Sequence, residues 1–254
     1  MLTPQQLKWC LKTISANAFF IMVMDALRSN QALSCIRMAD GEKMLMEQVS
    51  KQKFNEVLTP PEGYGQDWMK TYGVEGITAG ELKMRLTIAA TQCSHFAPSI
   101  TGIHDPKYNV YKLWTEREFF VDNFWMEAWT REQKTDLFKQ AGHVLLIHRN
   151  ASTADSMQLR VQANLGVKVH YIPLNNWRQC PEVIEKAHEN KASLVLFSGG
   201  PAGKYIGPQI ATEGIRPKIV LDVGHGADLF TFSHLPIDRP KAEAFHARWA
   251  AANH

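Results

Sequence analysis

Three short stretches of this chain combine residue types that could do chemistry. The first is Ile36-Arg37-Met38-Ala39-Asp40-Gly41-Glu42, where an apolar run ends and two carboxylates flank a glycine. Paired carboxylates just past a strand end can hold a divalent cation through oxygen ligands. The same Asp-Gly-Glu also suits a solvated surface turn. The second is Ser198-Gly199-Gly200-Pro201-Ala202-Gly203-Lys204. Glycines after a strand let backbone N–H groups approach a phosphate, and the following helix N-terminus favours an anion. A tight strand-to-helix turn without a ligand would look the same. The order is not that of a Walker loop or of Gly-x-Gly-x-x-Gly, which disfavours a nicotinamide or flavin cofactor. The third is Asp222-Val223-Gly224-His225. Asp222 and His225 suit an acid–base pair or metal ligation, and equally a hydrogen-bonded Asp beside a packed His. A fourth apolar run ends in His148-Arg149-Asn150.

The elements that must carry these stretches follow from periodicity. Leu33 to Ile36 reads as a short buried strand stopping at Arg37, followed by a helix from about Glu42. Upstream, Thr3-Pro4 starts a first helix with Leu7, Cys10, Leu11 and Ile14 on one face, and Phe19 to Leu27 forms a core helix. From His143 onward strands and helices alternate. Strands are expected at 143–147, 167–172, 192–197 and 218–222, with helices at 153–165, 181–190 and 201–213 between them and a last helix at 240–252. Such alternation implies parallel pairing through right-handed crossovers. The expected fold is α/β: a Rossmann-like, mostly parallel sheet with helices on both faces, in a single domain over residues 1–254. Residues 51–130 stand out as a partly helical, aromatic-rich insertion. It contains a loop at 59–65, a helix from Thr78 to Cys93, and a Trp114 to Trp129 segment whose rings recur at helical spacing. Those rings suit a packed core or, with Lys107 and Lys112 just upstream, a face that stacks on a sugar or base.

Composition narrows the class. With 45% hydrophobic and 21% charged residues the 254-residue chain is of ordinary globular character. Its formal net charge of +3 is compatible with phosphate-bearing ligands without being a nucleic-acid signature. The 4 cysteines, Cys10, Cys35, Cys93 and Cys180, show neither zinc spacing nor Cys-x-x-Cys, and read as free thiols of a reducing, cytoplasmic compartment. The apolar patch from Ala18 to Met24 is too short to span a membrane. Parallel topology would bring the polar strand ends to one rim, where a metal-assisted site for a nucleotide diphosphate compound follows.

The ordered set of stretches resembles the GT-D fold glycosyltransferases. Ile36 to Glu42 is similar to that family's Arg-x-Gly-Asp-Gly-Glu segment, with Ala39 in place of a glycine. His143 to Asn150 resembles its strand ending in Asn, although His148-Arg149 stand where the family usually carries glycine. Leu194 to Lys204 is similar to its strand and Gly-Pro-Ala turn, and Lys218 to His225 to its Asp-x-Gly-His strand end. The resemblance implies transfer of a sugar from a nucleotide-sugar, a UDP-sugar first, to an acceptor hydroxyl on a glycan or on a hydroxymethylated base of phage DNA. It implies Mn²⁺ or Mg²⁺ on Asp40 and Glu42, with Asp222 or His225 as base or further metal ligand. Arg37, Asn150, Ser198, Gly199, Gly200 and Lys204 would line the donor. A metal-dependent nucleotide hydrolase or phosphotransferase, and a non-catalytic nucleotide-binding module, are the competing readings.

Overall fold

The computed structural model describes residues 12–38, 40–60, 63, 65–98, 117–123, 125–149 and 151–224. Its centre is a six-stranded sheet in which every pairing is parallel. In chain order its strands are β2 (Leu33–Met38), β3 (His95–Pro98), β5 (His143–His148), β6 (Lys168–Pro173), β7 (Leu194–Ser198) and β8 (Ile219–Asp222); in space they run β3-β2-β8-β7-β5-β6. Two short strands, β1 (Thr13–Ile14) and β4 (Phe120–Val121), pair in parallel outside this sheet.

Alternate residues along each central strand feed two cores. Ile36, Leu145, Ile147, Val195, Phe197 and Val220 face one, and Cys35, Val144, Leu146, Leu196 and Leu221 face the other. Burial on both faces is why these strands read as continuous apolar runs rather than alternating ones. The first core is covered by α2 (Asp40–Lys51), α3 (Gln66–Tyr72), α4 (Ala79–Gln92), α8 (Cys180–Glu189) and α9 (Gly200–Thr212). The second is covered by α1 (Ala16–Arg28), α5 (Trp125–Ala128), α6 (Arg131–Ala141) and α7 (Ala151–Leu165).

Local signals set the helix ends. Thr78 caps α4 and Thr130 caps α6, each in a reciprocal capping box with the residue three positions on. Gly142 ends α6 in the left-handed conformation, at φ 64°.

Several expectations are adjusted. β2 runs on through Met38, so Arg37 lies inside the strand, and Asp40-Gly41-Glu42 opens α2 instead of forming a free turn. The strand extends because Cys35 to Met38 pair along their whole length with His95 to Pro98 of β3. Residues 79–98, expected within the insertion, supply a helix of the main layer and an edge strand of the main sheet. The Trp114 to Trp129 segment is not one helix: among its described residues it forms β4 and the four-residue α5. Trp125 and Trp129 are buried against Phe19, so they belong to the core. The expected first helix is corrected at its end, because Ile14 lies in β1, paired with Val121; its residues from Leu7 to Leu11, the stretch holding Lys107, Lys112 and Trp114, and the helix at 240–252 lie outside the described residues.

Candidate functional site

The chain leaves the carboxyl end of β5 into α7 on one face of the sheet, and leaves the neighbouring β7 into α9 on the other. Adjacent parallel strands whose connections depart in opposite directions open a crevice at their carboxyl ends, the usual ligand position in open α/β sheets. His148 and Ser198 are register partners at that point. The C-terminal end of α3 reaches over it. The Arg149 guanidinium donates to the Thr71 carbonyl at 2.6 Å and to that of Lys70, which caps α3. Gly200 has φ 56°, and a Cβ there would stand 3.3 Å from the Tyr72 oxygen, so glycine is required on two counts.

α9 carries the decisive side chain. Between Pro201 and Thr212 its only charged residue is Lys204, and the helix is largely buried. Gly203 and Gly207 let α9 settle onto Phe197 of β7, since a Cβ at either would lie 2.8 Å and 3.0 Å from that ring. This close approach delivers the Lys204 ammonium to two carboxylates. Its Nζ is 3.1 Å from Glu42 Oε1, in the first turn of α2, and 2.9 Å from Asp222 Oδ2, at the end of β8. All three residues are buried. Burial alone would push the Lys204 ammonium down; the Asp222 and Glu42 charges, and the hydrogen bonds they accept, outweigh it and raise it above the ordinary lysine value.

Asp222 is further held by backbone. Its Oδ2 accepts from the Arg37 N–H at 3.0 Å and its Oδ1 from the Gly224 N–H at 3.0 Å. Arg37 therefore contributes its main chain to this cluster. Its side chain goes to the other face, where Nε donates to Asn123 Oδ1 and one terminal nitrogen to the Val223 carbonyl, each at 3.3 Å. Arg37 thus ties β2 and β8 to the α5 segment.

Of the residues singled out in the sequence, the structure brings Glu42, Lys204, Asp222 and the Arg37 backbone into one cluster. Ser198, Gly199 and Gly200 lie at the neighbouring crevice. Gly199 has a packing reason to be glycine, because its Cβ would meet Leu174 Cδ2 at 2.6 Å. The Asp40 side chain, Asn150 and His225 lie outside the described residues. Sequence reasoning placed Lys204 on the donor and missed its pairing with Glu42 and Asp222. The available signal was a lone lysine in a helix otherwise without charge. Asn123, also missed, carries no such signal.

The divalent ion implied by the resemblance can be tested against these groups. Among the described residues no set of three or more His, Cys, Asp and Glu could hold a metal. The Glu42 carboxylate shares the Lys204 ammonium with Asp222, so these two groups are already engaged by a cation. The Asp40 side chain and His225, the other ligands expected, lie outside the described residues.

Fold and cluster together define an α/β protein with a charged, buried site at the carboxyl edge of a parallel sheet, the place of a nucleotide or phosphate ligand. A family model for the GT-D fold-like domain matches residues 14–230, and the chain belongs to that family. No curated protein and no solved structure matches it. Among the described residues no helix is long and apolar enough to cross a membrane.

Proposed function

We propose that the protein is a glycosyltransferase that takes a sugar from a nucleotide-sugar, a UDP-sugar first, and passes it to an acceptor hydroxyl. The observation that carries the reading is the buried Glu42–Lys204–Asp222 cluster beside the β5/β7 crevice, in a chain whose family match spans both. The diphosphate would lie against the turn from Ser198 to Gly200, where the N-terminus of α9 offers backbone N–H groups and a favourable dipole. In the reaction the bond from the sugar to the diphosphate breaks, the acceptor oxygen bonds to the sugar, and its proton passes to a base.

Asp222 is poorly disposed to be that base: its two oxygens already accept from Arg37, Lys204 and Gly224. Its part in this scheme is to hold the Val223-Gly224 turn that leads to His225, and His225 is the proton acceptor. The acceptor surface excludes Trp125 and Trp129, whose rings are internal. A panel of nucleotide-sugars incubated with saccharides and with hydroxymethylated DNA, read by mass spectrometry, tests the reading. A glycosylated product is expected. Free UDP released equally without acceptor would identify a hydrolase instead, and failure of every nucleotide-sugar to bind would refute the donor site.

A further inference from the structure

We propose that the Lys204 ammonium is the resident cation of the donor site, occupying the carboxylates on which a divalent metal would otherwise be held. The proposal deepens the donor reading above and rests on it. Three observations carry it. First, the ammonium engages both carboxylates at hydrogen-bond length, 3.1 Å to Glu42 and 2.9 Å to Asp222. Second, the lysine is built in. It projects from a buried helix whose Gly203 and Gly207 set its distance from the sheet, and it is the only charge between Pro201 and Thr212. Third, Glu42 and Asp222 arrive from different elements, α2 and β8, and meet at this one nitrogen.

An ammonium has three N–H donors. Glu42 and Asp222 take two, and the third is the one a diphosphate oxygen would accept. Lysine in this place supplies an N–H donor beside the position where charge grows on the departing nucleotide, and supplies it without exchange with solvent. Glu42 is then a positioning residue for Lys204, and a dication at Glu42 and Asp222 would have to displace a covalently attached cation.

The test is direct Mn²⁺ binding to the full chain, followed by electron paramagnetic resonance and calorimetry, together with UDP binding in Mn²⁺ and in EDTA. The wild-type protein is expected to show no saturable one-to-one Mn²⁺ site and the same UDP affinity in both media. Lys204→Met removes the ammonium that both buried carboxylates share, so it should gain a Mn²⁺ site roughly a hundredfold tighter than any wild-type binding. That gained site should disappear again in Lys204→Met/Glu42→Gln. A saturable wild-type Mn²⁺ site that Glu42→Gln abolishes would overturn the proposal, as would UDP binding that requires Mn²⁺. If Lys204→Met does not fold, the wild-type and Glu42→Gln titrations decide alone: superimposable isotherms support the proposal and a loss in Glu42→Gln overturns it. UDP that binds in neither medium refutes the donor reading, while the Mn²⁺ titrations still decide whether Lys204 keeps the dication out.

Discussion

Replacing Gly203 with alanine tests the packing that delivers Lys204 to its partners. The new methyl would lie 2.8 Å from Phe197 Cδ2 and 3.3 Å from Cε2. Phe197 is 1% exposed and its strand β7 lies between β5 and β8, in an interior that is close-packed. Two effects compete. Glycine to alanine inside a helix gains about 1 kcal/mol of propensity. Overpacking a filled core costs about 1–3 kcal/mol. The clash outweighs the propensity, with a net loss of up to about 2 kcal/mol, or a fall in Tm of up to about 8 °C for a chain of this size. Urea denaturation read by tryptophan fluorescence measures the loss. A double-mutant cycle isolates its cause: Phe197→Leu shortens the clashing side chain, so Gly203→Ala should be less harmful in that background, with a coupling of at least about 0.5 kcal/mol. Gly203→Ala as stable as wild type, or additive with Phe197→Leu, would mean that α9 does not rest on Phe197 as described, and the placement of Lys204 would lose its support.

Other perturbations separate the roles of individual groups. Asp222→Ala leaves Lys204 with Glu42 alone and strips acceptors from the Arg37 and Gly224 N–H groups; a loss of about 3–5 kcal/mol is expected in chemical denaturation, the scale for breaking a buried ion pair. Trp129→Ala removes a core ring and its 2.8 Å hydrogen bond to the Ala16 carbonyl, and should cost about 3–5 kcal/mol while leaving acceptor KM unchanged in the folded fraction. Burial, reinforced by Arg117, pushes the His95 imidazole down from 6.5 to about 4. The unfolded chain therefore binds the extra proton first, and stability falls as pH drops from about 6.5 to about 4, by up to ~3 kcal/mol. His95→Phe should flatten that part of the curve, as followed by urea midpoints between pH 4 and 7.

Much of the fold was legible in the chain because its signals are local. The apolar runs ending at Ile147 and Phe197, each followed by a helical period, specify parallel strands buried on both faces whatever lies around them. Gly166, placed after an apolar-periodic segment, ends α7 at φ 66°. The edge strand His95–Pro98 was not legible: four residues give too short a pattern, and their identity as strand comes from the register with Cys35 to Met38. The aromatic segment was ambiguous for a related reason. A ring has the same local period whether it faces a sugar or Phe19, and only burial by α1 puts Trp125 and Trp129 inside.

The site divides the same way. That charged residues gather where strands end follows from chain order and parallel topology alone. Which charges meet does not. Glu42, Lys204 and Asp222 are separated by more than a hundred residues across their span, and their pairing depends on how deeply α9 seats on β7, a matter of two glycines and one phenylalanine ring. Arg37 shows the complementary case. Its type and position suggested a phosphate ligand, yet the pleat of β2 turns its side chain to the face opposite Lys204 and leaves only its main-chain N–H for Asp222. Residue types set the available chemistry; the pleat and the helix–sheet distance set which groups can use it, because charge interactions act over a few ångströms and no local pattern encodes a distance between remote segments.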